Sequence, residues 1–274
     1  MKLFVFTFLF SSIFCDEARY QFKTDITKNN VMDIEVITDM SNGHYNYVSN
    51  FSGRIATEYI GNEDGNHEFM QTWTNIISTL KRNDKMKTNH SAQKLNGTQY
   101  TIAADSTGEF IREGKNDKAK EMEEENTAFM YFSSQSNMLF PLGSDSSYKV
   151  GDTWIVHKEE HLDEFPGFEN SDTDITDHYV YTFDKIKKKK GKTIAYVTCV
   201  ENLKMHMVTQ TWDDSWEMDV VGVLKLKIEF NLTDKTMKKT RLRGSITGTG
   251  LDLDDDSSIS FYQNMDMICK TKLK

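Results

Sequence analysis

The sequence predicts a mainly β protein with a large curved antiparallel sheet or incomplete barrel and one principal amphipathic helix. Three observations lead to this fold class. Apolar and polar residues alternate along much of the chain, short turn signals separate the alternating segments, and one segment follows a helical spacing. Because the 274 residues include only two prolines and no linker-like stretch, residues 16–274 are expected to form a single β-rich domain.

Alternation is clearest at residues 225–232, where Leu226, Ile228 and Phe230 fall on one face and polar residues on the other. A half-buried antiparallel strand gives this pattern, because one side packs on the core and the other meets water. Weaker alternation predicts further strands at residues 20–26, 32–40, 45–51, 100–104, 179–186, 193–200, 203–209 and 265–271.

Turn residues separate these segments. Asn-Gly, the strongest two-residue hairpin signal, occurs at residues 42–43 and 96–97, and Lys190-Gly191 is a weaker signal of the same kind. The basic run at residues 187–190 is therefore expected to be the solvated tip of a hairpin and not a nucleic-acid site.

The segment at residues 116–139 does not follow the two-residue alternation of apolar and polar residues. Its apolar residues recur at spacings of three and four, acidic residues occupy the early turns, and Phe140-Pro141 ends it. This pattern predicts an amphipathic helix that lies across the sheet, with Met122, Phe129 and Met130 on its apolar face.

Residues 1–15 have the layout of a secretory signal peptide, with Lys2, a short apolar run and small residues before Cys15. The run is shorter than the roughly 20 residues that span a bilayer. Two alternatives remain for Cys15: removal with the signal peptide, or lipidation as the first residue of a bacterial lipoprotein. Only the second would attach the protein to a membrane. An extracytoplasmic location is expected in both cases, in the periplasm, in the cell envelope or as a secreted protein.

The formal net charge of −9 argues against a nucleic-acid partner, because binding to phosphates requires basic surface. It also disfavours docking to anionic lipid. Two cysteines remain after the signal peptide, Cys199 and Cys269, both on expected inward strand faces. In an oxidising compartment they could form a disulfide, and the alternative is two buried free thiols.

The sharpest catalytic pattern is H-x-x-E-H, with His157 and His161 as zinc-ligand candidates. The chemistry requires a helix, because residues four apart on a strand are roughly 13 Å from each other. The preceding residues 151–156 favour a strand. Acidic loops are expected at residues 172–177 and 252–256, without the pattern of a calcium hand. No nucleophile elbow, P-loop or dinucleotide fingerprint occurs, so neither a cofactor nor an enzyme activity is indicated.

Phe140-Pro141 and residues 148–154, Tyr-Lys-Val-Gly-Asp-Thr-Trp, resemble the centre of an uncharacterised group of exported bacterial proteins with an FP…VxxGDxW-like motif. The resemblance implies that the motif follows a helix and opens the second half of a long sheet. That group is similar in outline to the LolA/LppX-type half-barrel, which implies an apolar-ligand or lipid carrier. In physical terms, Gly151-Asp152 would be a turn and Trp154 a core anchor.

Methionine is abundant, with 14 in the chain, and flexible methionine surfaces suit pockets for varied apolar ligands. We therefore expect a non-enzymatic exported binding protein that holds a lipid-like ligand under the helix. The alternative is a structural or protein-interaction module of the cell envelope, and a zinc metallohydrolase is a distant third. The expected lining residues are Met122, Phe129, Met130, Met205 and Met207.

Overall fold

The structure is a computed structural model. It describes residues 18–23, 25, 27–41, 46–63, 65–82, 85–88, 90–104, 110–114, 146–162, 170–210, 215–254 and 256–274.

The described residues form fourteen strands and one short helix, α1 (His90–Gln93). The strands are β1 (Tyr20–Gln21), β2 (Asn30–Ser41), β3 (Asn46–Glu63), β4 (Asn66–Arg82), β5 (Lys85–Thr88), β6 (Gln99–Ala104), β7 (Phe110–Gly114), β8 (Ser147–Tyr148), β9 (Thr153–Leu162), β10 (Ser171–Lys189), β11 (Lys192–Gln210), β12 (Ser215–Asn231), β13 (Thr236–Asp252) and β14 (Ser258–Leu273).

Twelve of the described strands belong to one antiparallel sheet. Its order is β7-β6-β4-β3-β2-β14-β13-β12-β11-β10-β9, and β5 adds to β4. Each half is a meander, and β2 joins the halves by pairing with β14. Within the described chain the sheet is not closed, since β7 and β9 each have one partner. The predicted fold class, a large antiparallel sheet of the curved or incomplete-barrel kind, is confirmed.

One face of the sheet, the inner face, carries the hydrophobic core. Successive side chains of a strand point to opposite faces, so the core uses every second residue. Trp73, Ile55 and Leu242 are among its fully buried members. One row of register partners crosses seven strands of this face: Tyr181, Cys199, Leu226, Leu242, Met267, Val36 and Phe51.

Several predicted strands are confirmed, and their bounds are longer than the sequence indicated. Residues 193–200 and 203–209 belong to one strand, β11, and the expected acidic loop at residues 172–177 lies within β10. Of the described residues in the predicted strand at 20–26, the two residues of β1 are in a strand. The predicted helix at residues 116–139 lies outside the described residues.

Lys190-Gly191 makes the expected tight hairpin between β10 and β11. Both residues have positive φ, 49° and 76°, as a type I′ turn requires. Asn96-Gly97 instead forms a turn between α1 and β6, where the Asn96 side chain accepts a 2.7 Å hydrogen bond from the Ile76 N–H. The hairpin interpretation was therefore wrong at residues 96–97.

Candidate functional site

An aromatic cluster closes one end of the inner face. The Trp154 ring stacks on Tyr148 with the ring centroids 4.1 Å apart, and on Tyr181 at 5.2 Å. Phe22 also stacks on Trp154 at 5.7 Å and packs edge-on against Phe183 at 4.9 Å. These rings leave no water-facing surface on Phe22, Tyr181 or Phe183, so this end is a packed core.

The turn before Trp154 fixes its position. Gly151 has a φ of 95°, which a residue with a side chain rarely adopts, and its N–H donates a 2.8 Å hydrogen bond to the Phe183 carbonyl. The Phe183 N–H donates in return to the Asp152 carbonyl at 2.9 Å. Gly151-Asp152 is thus a turn and Trp154 is anchored against the core, as expected from the sequence.

Beyond the aromatic cluster the inner face carries a buried carboxyl group. Glu201 lies on β11 between Tyr179 of β10 and Leu224 of β12, its register partners. Its side chain is fully buried, and neither carboxyl oxygen has a hydrogen-bond partner among the described residues. An unpaired buried polar group costs about 1–3 kcal/mol and more when it is charged, so this arrangement calls for a functional explanation.

A second carboxyl group accompanies the first. Asp177 lies two register pairs away on the same face, opposite Leu203, and accepts a 3.2 Å hydrogen bond from the Tyr179 hydroxyl at one oxygen. Its other oxygen is buried without a partner among the described residues. Asp177, Tyr179 and Glu201 are called the acid cluster below.

Burial raises the pKa of the Glu201 carboxyl to about 8, and the negative charge of Asp177 adds to the effect. The pKa of Asp177 is also raised, mainly by burial and further by Glu160. Burial likewise raises the pKa of the Tyr179 hydroxyl. At neutral pH, Glu201 therefore carries a proton and can donate or accept a hydrogen bond.

An apolar surface extends from the acid cluster toward the end of the sheet away from the aromatic rings. Met205 is half-buried and Met207 is buried, and both lie on the inner face of β11. The glycine on β12 opposite Leu203, Gly222, lets Leu203 and Ile246 approach each other, since an added Cβ would lie 3.1 Å from Ile246. The members of this apolar wall are Ile175, Leu203, Met205, Met207, Val220 and Ile246.

The structure therefore places Met205 and Met207 on the same face of β11 as Glu201, with Met205 the nearer of the two to the acid cluster. The other three predicted lining residues, Met122, Phe129 and Met130, lie outside the described residues, as does Cys15. Whether Met205 and Met207 contact a ligand stays a prediction.

The zinc candidates do not have the geometry that the motif needs. His157 and His161 lie on strand β9, on the outer face, and residues four apart on a strand are roughly 13 Å from each other. His157 contacts Glu159 at 2.9 Å and His161 contacts Asp174 at 2.9 Å. The part of the chain that the structure describes holds no cluster of three or more metal-ligating side chains.

Cys199 and Cys269 are both buried and free. They lie on β11 and β14, with β12 and β13 between them, which is about 14 Å for three strand spacings. A disulfide requires Cα atoms less than about 7 Å apart. Burial raises the pKa of each thiol to about 12, so both are poor nucleophiles.

Sequence reasoning missed the acid cluster. Glu201 fell in the gap between two predicted strands, and Asp177 was assigned to a loop. The available signal was the phase of the alternation: Val197, Cys199, Leu203 and Met205 share a face, and a continuous strand would place Glu201 on that face as well.

Comparison with protein-family models gives no match for this chain, and no curated protein is significantly similar to it. Among the described residues, no helix is both long enough and apolar enough to cross a membrane.

Proposed function

We propose that the protein is an exported, non-enzymatic binding protein that holds an apolar, lipid-like ligand on the inner face of its sheet. The observation that carries this proposal is the Glu201 carboxyl, fully buried and unpaired within the described chain, at the border of an apolar wall. A ligand with one polar end and an apolar body would satisfy both features at once.

The composition of the wall supports an apolar ligand. Met205 and Leu203 keep part of their surface accessible, unlike the fully buried residues around the aromatic cluster. Methionine side chains adapt to ligands of different shape because three bonds rotate. Each Leu- or Met-sized side chain that a ligand covers contributes about 1.5–3 kcal/mol at most.

The sequence at the amino terminus supports export, because residues 1–15 have the three regions of a signal peptide. The resemblance of residues 148–154 to the exported half-barrel-like group points to the same ligand class.

The proposal is tested with a neutral fluorescent probe, N-phenyl-1-naphthylamine, whose emission rises in apolar surroundings. We expect the purified protein to bind the probe and Met205→Glu to lose most of the binding, because a charge would stand in the apolar wall. The matched control is Val221→Glu, on the outer face of the neighbouring strand and 53% exposed, which should bind the probe as the parent does.

Equal loss in both variants, or no probe binding by a folded parent protein, would contradict the proposal. Native mass spectrometry of protein purified from an exporting host supplies an independent readout. A bound adduct that organic solvent extracts as lipid would support the carrier function, whereas a bare mass together with failure to bind the probe would favour the interaction module.

A specific observation favours that second candidate, the protein-interaction module. On the outer face, Ile37, Val221 and Val223 are each 45–55% exposed, and a shallow groove of ≈ 510 Å³ runs beside Ile37 and Val223. Arg243 and Asp266 form a 2.9 Å ion pair along this groove. An apolar patch with a charged border is typical of protein contact surfaces.

A further inference from the structure

The charges around the acid cluster do not balance. Glu201 faces Tyr179 on β10 and Leu224 on β12, and its nearest charged neighbour is Asp177. From β9, Lys158 lies opposite Asp177, and Glu160 adds a further negative charge. The surroundings therefore contain three carboxyl groups and one lysine. Glu201 is the most deeply buried of the carboxyl groups.

The acid cluster also has more hydrogen-bond acceptors than donors. Both oxygens of Glu201 and one oxygen of Asp177 are buried without a donor among the described residues. These three oxygens lie on diagonal neighbours of adjacent strands, with the Cβ atoms about 7 Å apart. What the cluster lacks is a compact group that brings positive charge and several N–H donors. A primary ammonium, with three N–H donors, has these properties.

We propose that the ligand of the inner face is an amphiphile whose polar end is a primary amine, held between the carboxylates of Glu201 and Asp177. This inference rests on the function proposed above and names the chemistry of the ligand. The alkyl part of the amphiphile lies along the apolar wall, which begins at Leu203, the register partner of Asp177.

Two other polar ends fit the cluster less well. A fatty carboxylate would bring a further negative charge to groups that already repel each other, which raises their pKa values further. A divalent cation requires more oxygen or nitrogen ligands than two carboxyl groups provide, and among the described residues Glu160 does not complete a group of three side chains that could hold a metal ion.

Binding of the amine should release a proton. In the empty protein, burial holds the pKa of Glu201 at about 8, so its carboxyl is mostly protonated at pH 7. An alkylammonium has a pKa similar to that of lysine, about 10.4, and arrives charged. When the ammonium approaches, Glu201 ionises, and its proton passes to the buffer. The ion pair then replaces the neutral carboxyl.

The experiment compares three ligands of one chain length: dodecylamine, dodecanol and dodecanoic acid, each below its micelle concentration, by titration calorimetry at pH 7. We expect dodecylamine to bind about ten-fold or more tightly than the other two. Glu201→Gln should remove this preference, so that dodecylamine no longer binds more tightly than dodecanol. The matched control, Glu159→Gln on the outer face of β9, should keep it.

Proton release gives a measurement that does not depend on a variant that might not fold. Titrations of the parent protein in buffers of different ionisation enthalpy should show about one proton released per dodecylamine, and about none per dodecanol.

The outcomes separate this inference from the proposed function. If all three ligands bind with similar affinity, or the acid binds best, or the amine releases no proton, the amine assignment is overturned and the apolar-ligand function stands. If none of the three binds to folded protein, both fail.

Discussion

Tyr179 donates a 3.2 Å hydrogen bond to Asp177, the carboxyl group two residues earlier on the same face of β10. Tyr262 donates to Asn264 at the same sequence spacing, but on an exposed part of β14. In each pair a tyrosine hydroxyl donates to a side chain two residues away on the same strand, and the pairs differ in burial, so their comparison indicates what burial adds to such a contact.

Tyr179→Phe should lower the free energy of unfolding by about 1–3 kcal/mol, because Asp177 then loses its donor in a buried place. Tyr262→Phe should change it by less than about 0.5 kcal/mol, since water replaces the lost hydroxyl. Urea unfolding of both variants beside the parent provides the measurement, and equal effects of the two substitutions would contradict the assigned burial of the cluster.

Glu201 should make the protein less stable as pH rises. The pKa of its carboxyl is about 8 in the folded protein, above the ordinary 4.5 of the unfolded chain, so between these values the folded state alone holds the proton. The free energy of unfolding therefore falls from about pH 4.5 to about pH 8 and is level above that. The total change is on the order of a few kcal/mol.

Glu201→Gln should abolish most of this slope and be more stable than the parent at pH 8, because no buried group has to ionise. Denaturant unfolding at pH 5, 6, 7 and 8 measures the effect, with Glu159→Gln as the control that keeps the slope. A parent protein whose stability increases over this range would show that Glu201 is paired when folded.

Gly244 is expected to tolerate no side chain. An added Cβ would lie 2.2 Å from the Val223 carbonyl oxygen and 2.7 Å from the Leu224 Cα, and backbone atoms cannot yield as a flexible side chain can. Gly244→Ala should destabilise by about 1–3 kcal/mol or more. Gly61→Ala, at a position with nothing within 4 Å, should be neutral or slightly stabilising. Thermal unfolding by circular dichroism distinguishes them, and similar melting temperatures would refute the close approach of β12 and β13.

Trp154 should be a major contributor to stability. Trp154→Ala removes a ring that stacks on Tyr148, Tyr181 and Phe22, and the expected loss is about 3–5 kcal/mol. The next residue, Ile155, points to the outer face and is 61% exposed, so Ile155→Ala should cost less than about 1 kcal/mol. Chemical denaturation tests the pair. A small effect of Trp154→Ala would mean that the stack is not part of the core.

The alternation of residues was sufficient to predict the antiparallel sheet, and the places where it failed have physical causes. In β4, Asn75 has a φ of 55° and lies next to a register shift against β3. Because of this irregularity, the buried apolar residues Trp73 and Ile76 are three positions apart, and the two-residue alternation is interrupted. In β13, glycines stand on the inner face where apolar side chains would reveal a strand. At Gly248 the ring of Phe261 fills that space instead.

Sequence reasoning missed the acid cluster for a related reason. Glu201 is a charged residue at an inward position of β11, so the rule that places charges outside divided one strand into two. The turn at Gly151-Asp152 and the anchoring of Trp154 were predictable, because glycine and a large aromatic residue have strong local preferences.

The pairing of β2 with β14 determines when the sheet can be completed. Met32 of the first long strand meets Thr271 of the last, so the centre of the sheet joins segments from opposite ends of the described chain. During synthesis, each meander has an unpaired strand edge until residue 273 has emerged. Contacts of such large sequence separation form slowly, and open edges invite pairing with other chains. A chain shortened within β14 would therefore expose two complementary edges at once and be prone to exchange strands with its neighbours.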